Sequence, residues 1–246
     1  MSGPWLALDT ATAAASVAVG PPPNTLSATL LTGPRSHAGG IVELIDRTLR
    51  AAGVTASDLA GIVVADGPGS FTGLRIGWAA AKGLAQERDV PLVTIPALAA
   101  TAASAAAVLG AVPIVACFDA LRGQVFGAVY TVWLPLGRLE VVVPPGVWTP
   151  EELIAASPTR PRAAVGDGAV RYAAAMEQWT GTPPLDALSV RPAAVSLIGL
   201  CAHPDLGRRL DDPATAEPEY GRPAEAQARW EARHGRPLSH QTRSGS

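Results

Sequence analysis

A glycine-rich loop between an apolar strand and a helix constrains this chain more than any other feature. The strand predicted at 61–65 leads into the segment 66–77, which reads DGPGSFTGLRIG. Its glycines permit positive φ and close approach of backbones, so the segment predicts a tight strand-to-helix turn. Ser70 or Thr72 is placed to cap the helix, and free backbone N–H groups at such a helix start hold anions.

Three kinds of catalytic loop share this general appearance, and the sequence fails the test for each. A Walker A loop requires Gly-Lys-Ser/Thr, whereas Gly73 is followed by Leu74. The spacing of the glycines does not match the Rossmann fingerprint. A nucleophile elbow at Ser70 requires glycine where the chain has Pro68 and Thr72. The sequence leaves open whether the turn binds an anion or is purely structural.

One stripe of the following helix, predicted at about 74–87, is almost bare of side chains. The stripe consists of Gly73, Gly77, Ala81 and Ala85. Backbones approach closely along such a stripe, and the sequence allows either the protein's own sheet or a partner to occupy it. Candidates for partner contacts elsewhere on this helix are Arg75, Trp78 and Lys82.

The remaining pattern predicts an α/β fold with mixed sheets flanked by helices. Further strands are predicted at 5–9, 16–19, 26–31, 90–94, 113–118, 125–133, 139–143 and 163–165. Further helices are predicted at 41–52, 97–108, 168–176 and 191–200, with another starting at Thr149. We assign 1–98 with 193–222 to a first lobe, 99–192 to a second lobe, and 223–246 to a polar, flexible tail.

The two predicted lobes open in a similar way. The strand at 5–9 ends at Asp9 and the strand that leads to Asp119 is equally apolar, and each is followed by a hairpin-like pattern. The segment Asp9-Thr10-Ala11-Thr12 resembles the first phosphate loop of the actin and sugar-kinase superfamily, although it lacks glycine. The alternative is an aspartate that caps its own turn.

Composition excludes several classes of protein. The 246 residues carry a formal net charge of -2, whereas a chain that grips a phosphate backbone alone is usually basic. The two cysteines, Cys117 and Cys201, form no CxxC pair, and the four histidines form no HxxxH pair, so the sequence favours a reducing compartment and no metal site. No signal peptide or membrane span is predicted, and we expect a cytoplasmic protein.

Several motifs in the right order resemble the TsaB family of tRNA-modification proteins. The string GPGSFTGLRIG is the most specific of them, and the opening Leu-Ala-Leu-Asp-Thr-Ala-Thr at 6–12 also matches. Three further segments are similar: Arg-Ser-His ending at His37, the run 118–126 around Asp119, and Pro-Glu-Tyr-Gly-Arg at 218–222. Together the motifs span about residues 5–222.

The resemblance implies a two-lobe actin-like ATPase fold, similar to ribonuclease H, in a non-catalytic scaffold subunit. Such a subunit pairs with TsaD, its catalytic relative, through helices of the first lobe, and the ATPase TsaE joins them to form threonylcarbamoyladenosine in tRNA. The chain then needs no cofactor of its own, with ATP or ADP at the junction with TsaD, and self-pairs when alone. The interface residues implied are His37, Ile41, Leu44, Ile45, Arg75, Trp78 and Lys82, and a degenerate nucleotide site would comprise Asp9, Thr10, Gly69 and Ser70.

Three positions depart from the family's pattern: Gly39-Gly40 at the start of the first helix, Gln124 in place of Glu, and Gly221 in place of Leu. Two other functions remain as alternatives, a nucleotide-binding ATPase or phosphotransferase of the same superfamily and, more remotely, a glycoprotease-like peptidase. The first would show nucleotide turnover by the isolated chain. The second would show protease activity that depends on Ser70.

Overall fold

The computed structural model describes residues 3–33, 40–134, 138–203 and 206–222. Its strands are β1 Trp5–Asp9, β2 Ala15–Gly20, β3 Ser27–Leu31, β4 Gly61–Ala65, β5 Leu92–Ile95, β6 Pro113–Asp119, β7 Val125–Trp133, β8 Arg138–Trp148, β9 Ala163–Val165 and β10 Arg208–Arg209. Its helices are α1 Ile41–Ala52, α2 Phe71–Arg88, α3 Ala97–Leu109, α4 Pro150–Ala156, α5 Asp167–Arg171, α6 Ala173–Thr180 and α7 Ala193–Leu200. The predictions for His37 and for the tail after Arg222 lie outside the described residues.

The strands form two sheets built on one plan. The first has the order β10-β5-β4-β1-β2-β3 and the second β8-β7-β6-β9. In each sheet the opening strand pairs antiparallel with the next strand and parallel with the fourth, as β1 does with β2 and β4 and as β6 does with β7 and β9. The predicted α/β class with mixed sheets is therefore confirmed, and so is the similarity between the two openings.

Both faces of the first sheet are buried, which explains why β1 is apolar throughout. Side chains of a strand alternate between faces. Leu6 and Leu8 join the core beneath α1 and α2, whereas Trp5 and Ala7 join the core that holds α3 and α7. That second core also includes residues of β6 and β7, so α3 and α7 lie between the sheets. Helices α4 to α6 cover the remaining face of the second sheet.

Local chemistry sets the ends of the helices. Gly53 adopts the left-handed conformation that closes α1. Thr149 and Glu152 form a capping box with Pro150 in the first turn of α4. Helix α2 begins three residues earlier than predicted, because Ser70 Oγ accepts the N–H of Gly73 at 3.2 Å and so caps the helix.

Two predicted elements differ from the structure. The helix predicted at 168–176 is two short helices, α5 and α6, divided at Tyr172, whose φ of -106° and ψ of 37° are not helical. The strand predicted at 139–143 continues to Trp148 through Pro144 and Pro145. These prolines are tolerated because β8 lies at the edge of its sheet.

Candidate functional site

Asp9 ends β1 and is almost completely buried, with 7% of its surface exposed. Its Oδ1 accepts the N–H of Ala11 at 3.1 Å, which is the self-capped turn that the sequence left as an alternative to a phosphate loop. Burial raises the pKa of Asp9 to about 6, the hydrogen bond from Ala11 lowers it, and the charge of Asp167 raises it further. The buried surroundings of Asp9 therefore disfavour the ionised form of its carboxyl group.

The glycine loop packs directly on this turn. A Cβ built at Gly69 would lie 2.3 Å from the carbonyl oxygen of Ala11, and Ser70 N donates to that same oxygen at 2.7 Å. The Ser70 N–H is therefore not available to a phosphate, and the Ser70 hydroxyl oxygen serves as the cap of α2. The close contacts favour the purely structural interpretation of the loop over an anion site.

The small-residue stripe of α2 packs on the protein's own first loop. A Cβ at Gly73 would lie 2.1 Å from Thr10 O, and one at Gly77 would lie 2.2 Å from Thr10 Oγ1. Ala81 and Ala85 continue the buried stripe. Of the two occupants that the sequence allowed, the described structure places the protein's own backbone there.

Asp66, at the start of the glycine loop, is bonded to the end of the described chain. Its Oδ2 accepts Arg208 Nη2 at 2.9 Å and its Oδ1 accepts Glu219 N at 3.0 Å. Gly67 has a φ of +36°, and a Cβ there would lie 1.7 Å from Glu219 O. The loop is therefore closed on one side by Ala11 and on the other by Glu219.

Residues 217–222 form a strap that connects the two sheets, which the sequence did not predict. Tyr220 stacks on Phe71 with ring centroids 4.6 Å apart, and its hydroxyl accepts Arg75 Nε at 3.0 Å. At the other end, Arg222 donates to Ala120 O at 2.7 Å and to the side chain of Gln124. Two motifs that are far apart in sequence, 118–126 and 218–222, thus meet in space.

The strap also explains two departures from the family's pattern. Gly221 has a φ of +71° and lies against Pro68 and Phe126, so a side chain there would be strained and would overlap them. The Gln124 amide oxygen accepts a hydrogen bond from Arg222. The oxygen of a neutral amide can occupy this position as well as a carboxylate oxygen can.

The second sheet ends in a comparable pair of aspartates. Asp119, at the end of β6, accepts the N–H of Leu121 at 3.0 Å through Oδ1 and forms an ion pair with Arg171 at 2.9 Å through Oδ2. Asp167, at the start of α5, accepts the N–H of Asp119 at 3.1 Å. Burial is the main cause that raises the pKa of the Asp167 carboxyl, and the nearby charge of Asp119 raises it further.

A cavity of about 290 Å³ lies between the first loop and α5, and both Asp9 and Asp167 line it. The first sheet contributes Leu30, and the second contributes Phe118 and Val165. Within the ranges that the structure describes, no group of three or more His, Cys, Asp or Glu residues is arranged to hold a metal ion. The same residues contain no helix long and apolar enough to cross a membrane.

Comparison with known proteins places this geometry in a family. The family model described as TsaD, tRNA N6-adenosine threonylcarbamoyltransferase, matches residues 32–177, which is more than half of the chain. The chain belongs to this family. Within it, the predicted resemblance to TsaB is confirmed by the relatives and solved structures that follow.

Two curated relatives carry the name tRNA threonylcarbamoyladenosine biosynthesis protein TsaB. The Escherichia coli K12 protein is 37% identical over 125 residues, which cover 51% of this chain and 54% of that protein. The Bacillus subtilis 168 protein is 37% identical over 110 residues, covering 45% of this chain and 46% of that one. The chain thus matches about half the length of these relatives.

The solved structure described as YeaZ from Pseudomonas aeruginosa is similar over a greater length. It has a TM-score of 0.71 and 29% sequence identity, and the alignment covers 89% of this chain and 99% of that one. A second structure from the same organism, described as similar to peptidase YEAZ, has a TM-score of 0.70 and 28% identity. With the two mixed sheets, these matches confirm the predicted two-lobe, actin-like fold class.

The structure corrects the orientation expected of several predicted interface residues. Only 2% of the Trp78 surface is exposed, and its Nε1 donates to Ala65 O at 3.0 Å, so the ring does not face a partner. Ile41, Leu44 and Ile45 are likewise buried against the first sheet. The helical periodicity that identified them as a face of α1 identified the inward face.

Other residues of the two helices are accessible. Val42 on α1 is 71% exposed, and Arg75 on α2 lies over the exposed ring of Phe71 at 4.2 Å. Lys82 instead donates to the backbone oxygens of Ala214 and Ala216. The exposed candidates for partner contacts are therefore Val42 on α1 and Phe71 and Arg75 on α2.

Proposed function

We propose that this chain is a non-catalytic subunit of the machinery that forms threonylcarbamoyladenosine in tRNA. It pairs with TsaD, and TsaE joins the pair. The family match and the TsaB names of the curated relatives support this role. The observation that carries the non-catalytic part is the glycine loop, in which the Ser70 N–H is bonded to Ala11 O and the Ser70 hydroxyl oxygen caps α2.

Reconstitution tests the role directly. TsaD and TsaE from the same source, supplied with tRNA, ATP and a threonylcarbamoyl donor system, should modify tRNA only when this chain is added, and the chain alone should modify none. Transfer that reaches full rate without the chain would refute the proposal. The variant Ser70→Ala should retain activity in proportion to its folded fraction, because it loses a helix cap worth about 1 kcal/mol rather than a nucleophile.

The pairing surface is proposed to be the exposed face of α1 and α2. Val42→Glu and Arg75→Glu should weaken co-elution with TsaD, because each places a carboxylate at the centre of that face, and buried anchors are worth about 2 kcal/mol or more. Val108→Glu is the matched control, since Val108 is also an exposed valine, at 60%, but lies on α3. Equal weakening by Val42→Glu and Val108→Glu would place the interface elsewhere.

Trp78 is unsuited to this test. Trp78→Ala would remove a large buried side chain and cost about 3–5 kcal/mol of stability, so lost pairing would report unfolding.

We propose further that the isolated, cytoplasmic chain self-pairs through the same face, in which case Val42→Glu should also shift the chain alone towards monomer in sedimentation.

Nucleotide is proposed to bind at the junction with TsaD and not to the chain alone. The alternative, an ATPase or phosphotransferase of the same superfamily, is favoured by one observation, the cavity beside Asp9 between the two sheets. Calorimetry with Mg·ATP distinguishes the two. Saturable binding and turnover by the isolated chain would support the alternative, and binding only in the presence of TsaD supports the scaffold role.

A further inference from the structure

The cavity between the sheets has a strongly asymmetric lining. Among the described residues that line it, the charged groups are three carboxyls, on Asp9, Asp167 and Asp186, and the guanidinium of Arg191. The Asp186 Oδ1 atom is already bonded to Ser189. The cavity is therefore negative when its aspartates are ionised, and it favours a cationic occupant.

Asp9 provides a specific contact point for such an occupant. Its Oδ1 accepts Ala11 N, and no hydrogen bond within the described residues reaches its Oδ2. Asp9 is more than nine-tenths buried and lines the cavity, so this oxygen is available to an occupant of the cavity. A carboxylate oxygen in that position is satisfied best by a charged donor.

The rest of the lining combines apolar side chains with the hydroxyl groups of serine and threonine residues. Leu30, Phe118, Val165, Val170 and Val190 contribute most of its large side chains. A volume of about 290 Å³ lies at the lower end of the roughly 300–1,000 Å³ typical of ligand pockets. These dimensions suit a compact ligand with an apolar body.

Two other classes of occupant fit less well. A phosphate would meet the carboxyls of Asp9 and Asp167 where it needs donors, and the N–H groups of Ala11 and Ser70 in the neighbouring loops are already bonded. Mg²⁺ and Ca²⁺ prefer six or more ligands, mainly oxygens, and the described residues offer no group of three metal-ligating side chains.

We propose that this cavity binds a small organic cation, a primary ammonium group on an apolar body, with the ammonium between Asp9 and Asp167 and the body against Val170 and Val190. The site does not depend on the proposed tRNA-modification role, since it lies within one chain and its lining includes neither Val42 nor Arg75. Its failure would leave that role intact, and reconstitution tests the role separately.

Benzylamine is a suitable probe, with benzyl alcohol and benzoate as neutral and anionic controls of the same size. Calorimetry of the full chain in phosphate buffer, which contains no amine, should show saturable binding of benzylamine at pH 7.5. Benzyl alcohol and benzoate should bind at least tenfold more weakly, because they lack the charged donor. Equal binding of the alcohol would mean that the cavity recognises only apolar surface and would overturn the proposal.

Variants locate the site. Asp9→Asn and Asp167→Asn should each weaken benzylamine binding about tenfold or more, while the remote Asp46→Asn should leave it unchanged. Val170→Trp retains both carboxyls but should block the cavity, and it decides the matter if Asp9→Asn fails to fold. Binding that survives Val170→Trp and Asp167→Asn would place the ammonium elsewhere.

A pH series supplies a readout that a purely structural role of Asp9 would not give. Since burial raises the pKa of Asp9 to about 6, ammonium binding near that pH should expel its proton, and affinity should rise between pH 5 and pH 7. The facing charges are Asp167, Asp186 and Arg191, so Asp167→Asn should shift the profile. Tighter binding of Mg·ATP or of Mg²⁺ alone, lost in Asp9→Asn, would assign the cavity to nucleotide or metal instead.

Discussion

The two halves of this chain share a topology but treat the aspartate at the end of their opening strand differently. Asp9 and Asp119 each accept the N–H of the residue two positions later. In the first half the 18-residue α2 packs over the loop, and Asp9 forms no ion pair with another described residue, whereas in the second half the five-residue α5 brings Arg171 to Asp119. The comparison shows that, in each half, the helix after the fourth strand determines the surroundings of the aspartate that ends the opening strand.

Both halves rely on glycine where a loop or helix packs closely against the end of the opening strand. The first half uses Gly69, Gly73 and Gly77 against the backbone and side chain of the Thr10 loop, and the second uses Gly166 and Gly168 against the end of β6. Each half thus needs several positions without a Cβ, although only the first has the long glycine run that is conspicuous in the sequence.

The largest effects are expected when a Cβ is added at these contacts. Gly166→Ala combines a φ of +107° with a Cβ 2.2 Å from Cys117 O, and Gly69→Ala places a Cβ 2.3 Å from Ala11 O. Each should lower the free energy of unfolding by about 3 kcal/mol or more, measured by urea denaturation. A Gly69→Ala cost below about 1 kcal/mol would show that the first half is less tightly closed than the second.

Gly83→Ala is the matched control on α2, since a Cβ there meets nothing within 4 Å. It should raise the free energy of unfolding by about 0.5–1 kcal/mol through helix propensity alone. Destabilisation by Gly83→Ala would imply a contact at this exposed position.

The next largest effect concerns the change of stability with pH, which should distinguish Asp9 from Asp119. The folded-state pKa of Asp9, about 6, lies above the ordinary value of 3.8, so the native state binds more protons than the unfolded state between these pH values. The wild type should therefore lose up to about 3 kcal/mol of stability as pH rises from 4 to 7.5. Asp9→Asn, which keeps an acceptor for Ala11 N, should remove that loss and exceed the wild type in stability at pH 7.5.

Asp119→Asn should behave in the opposite sense, because it removes one partner of the Asp119–Arg171 ion pair. We expect a loss of about 1 kcal/mol or less at pH 7.5 and a slope of stability against pH like that of the wild type. If the stability of Asp119→Asn did not change with pH, the aspartate responsible for the pH dependence would lie in the second half and not in the first.

A smaller effect is expected for the strap that connects the halves. Arg222→Ala removes hydrogen bonds to Ala120 O and Gln124 and a contact with the Phe126 ring, and should cost about 1–2 kcal/mol. Gln124→Glu should strengthen the pairing with Arg222 by about 0.5–1 kcal/mol. A double-mutant cycle measures whether these two residues are coupled.

The smallest effects should come from two ion pairs, Arg208–Asp66 in the first half and Arg171–Asp119 in the second. Arg208→Ala and Arg171→Ala each remove a 2.9 Å pair whose arginine is more than half exposed. Each should cost roughly 0.5 kcal/mol at low salt and less at 0.5 M NaCl. A cost for Arg171→Ala that resists salt would indicate that Asp119 depends on this partner more than Asp66 depends on Arg208.

Much of the fold followed from local patterns. The helix at Ile41–Ala52 and the strands at Trp5–Asp9, Gly61–Ala65 and Val125–Trp133 have the predicted limits, because their periodicity and caps are unambiguous. The split at Tyr172 and the length of β8 did not follow, since the first depends on packing against the second sheet and the second on pairing with β7.

The sequence by itself determined the elements, the turn chemistry of the glycine loop and the resemblance to a family, because these depend on residues close together in the chain. Only the tertiary structure decided what the loop does. It showed that Gly69 and Gly77 pack on the chain's own first loop, that Trp78 faces inward, and that 217–222 straps the two sheets together. The contacts of the loop and the strap join residues that are far apart in the chain, as Asp66 and Glu219 are, and no local pattern records which backbone will fill the space that a glycine leaves.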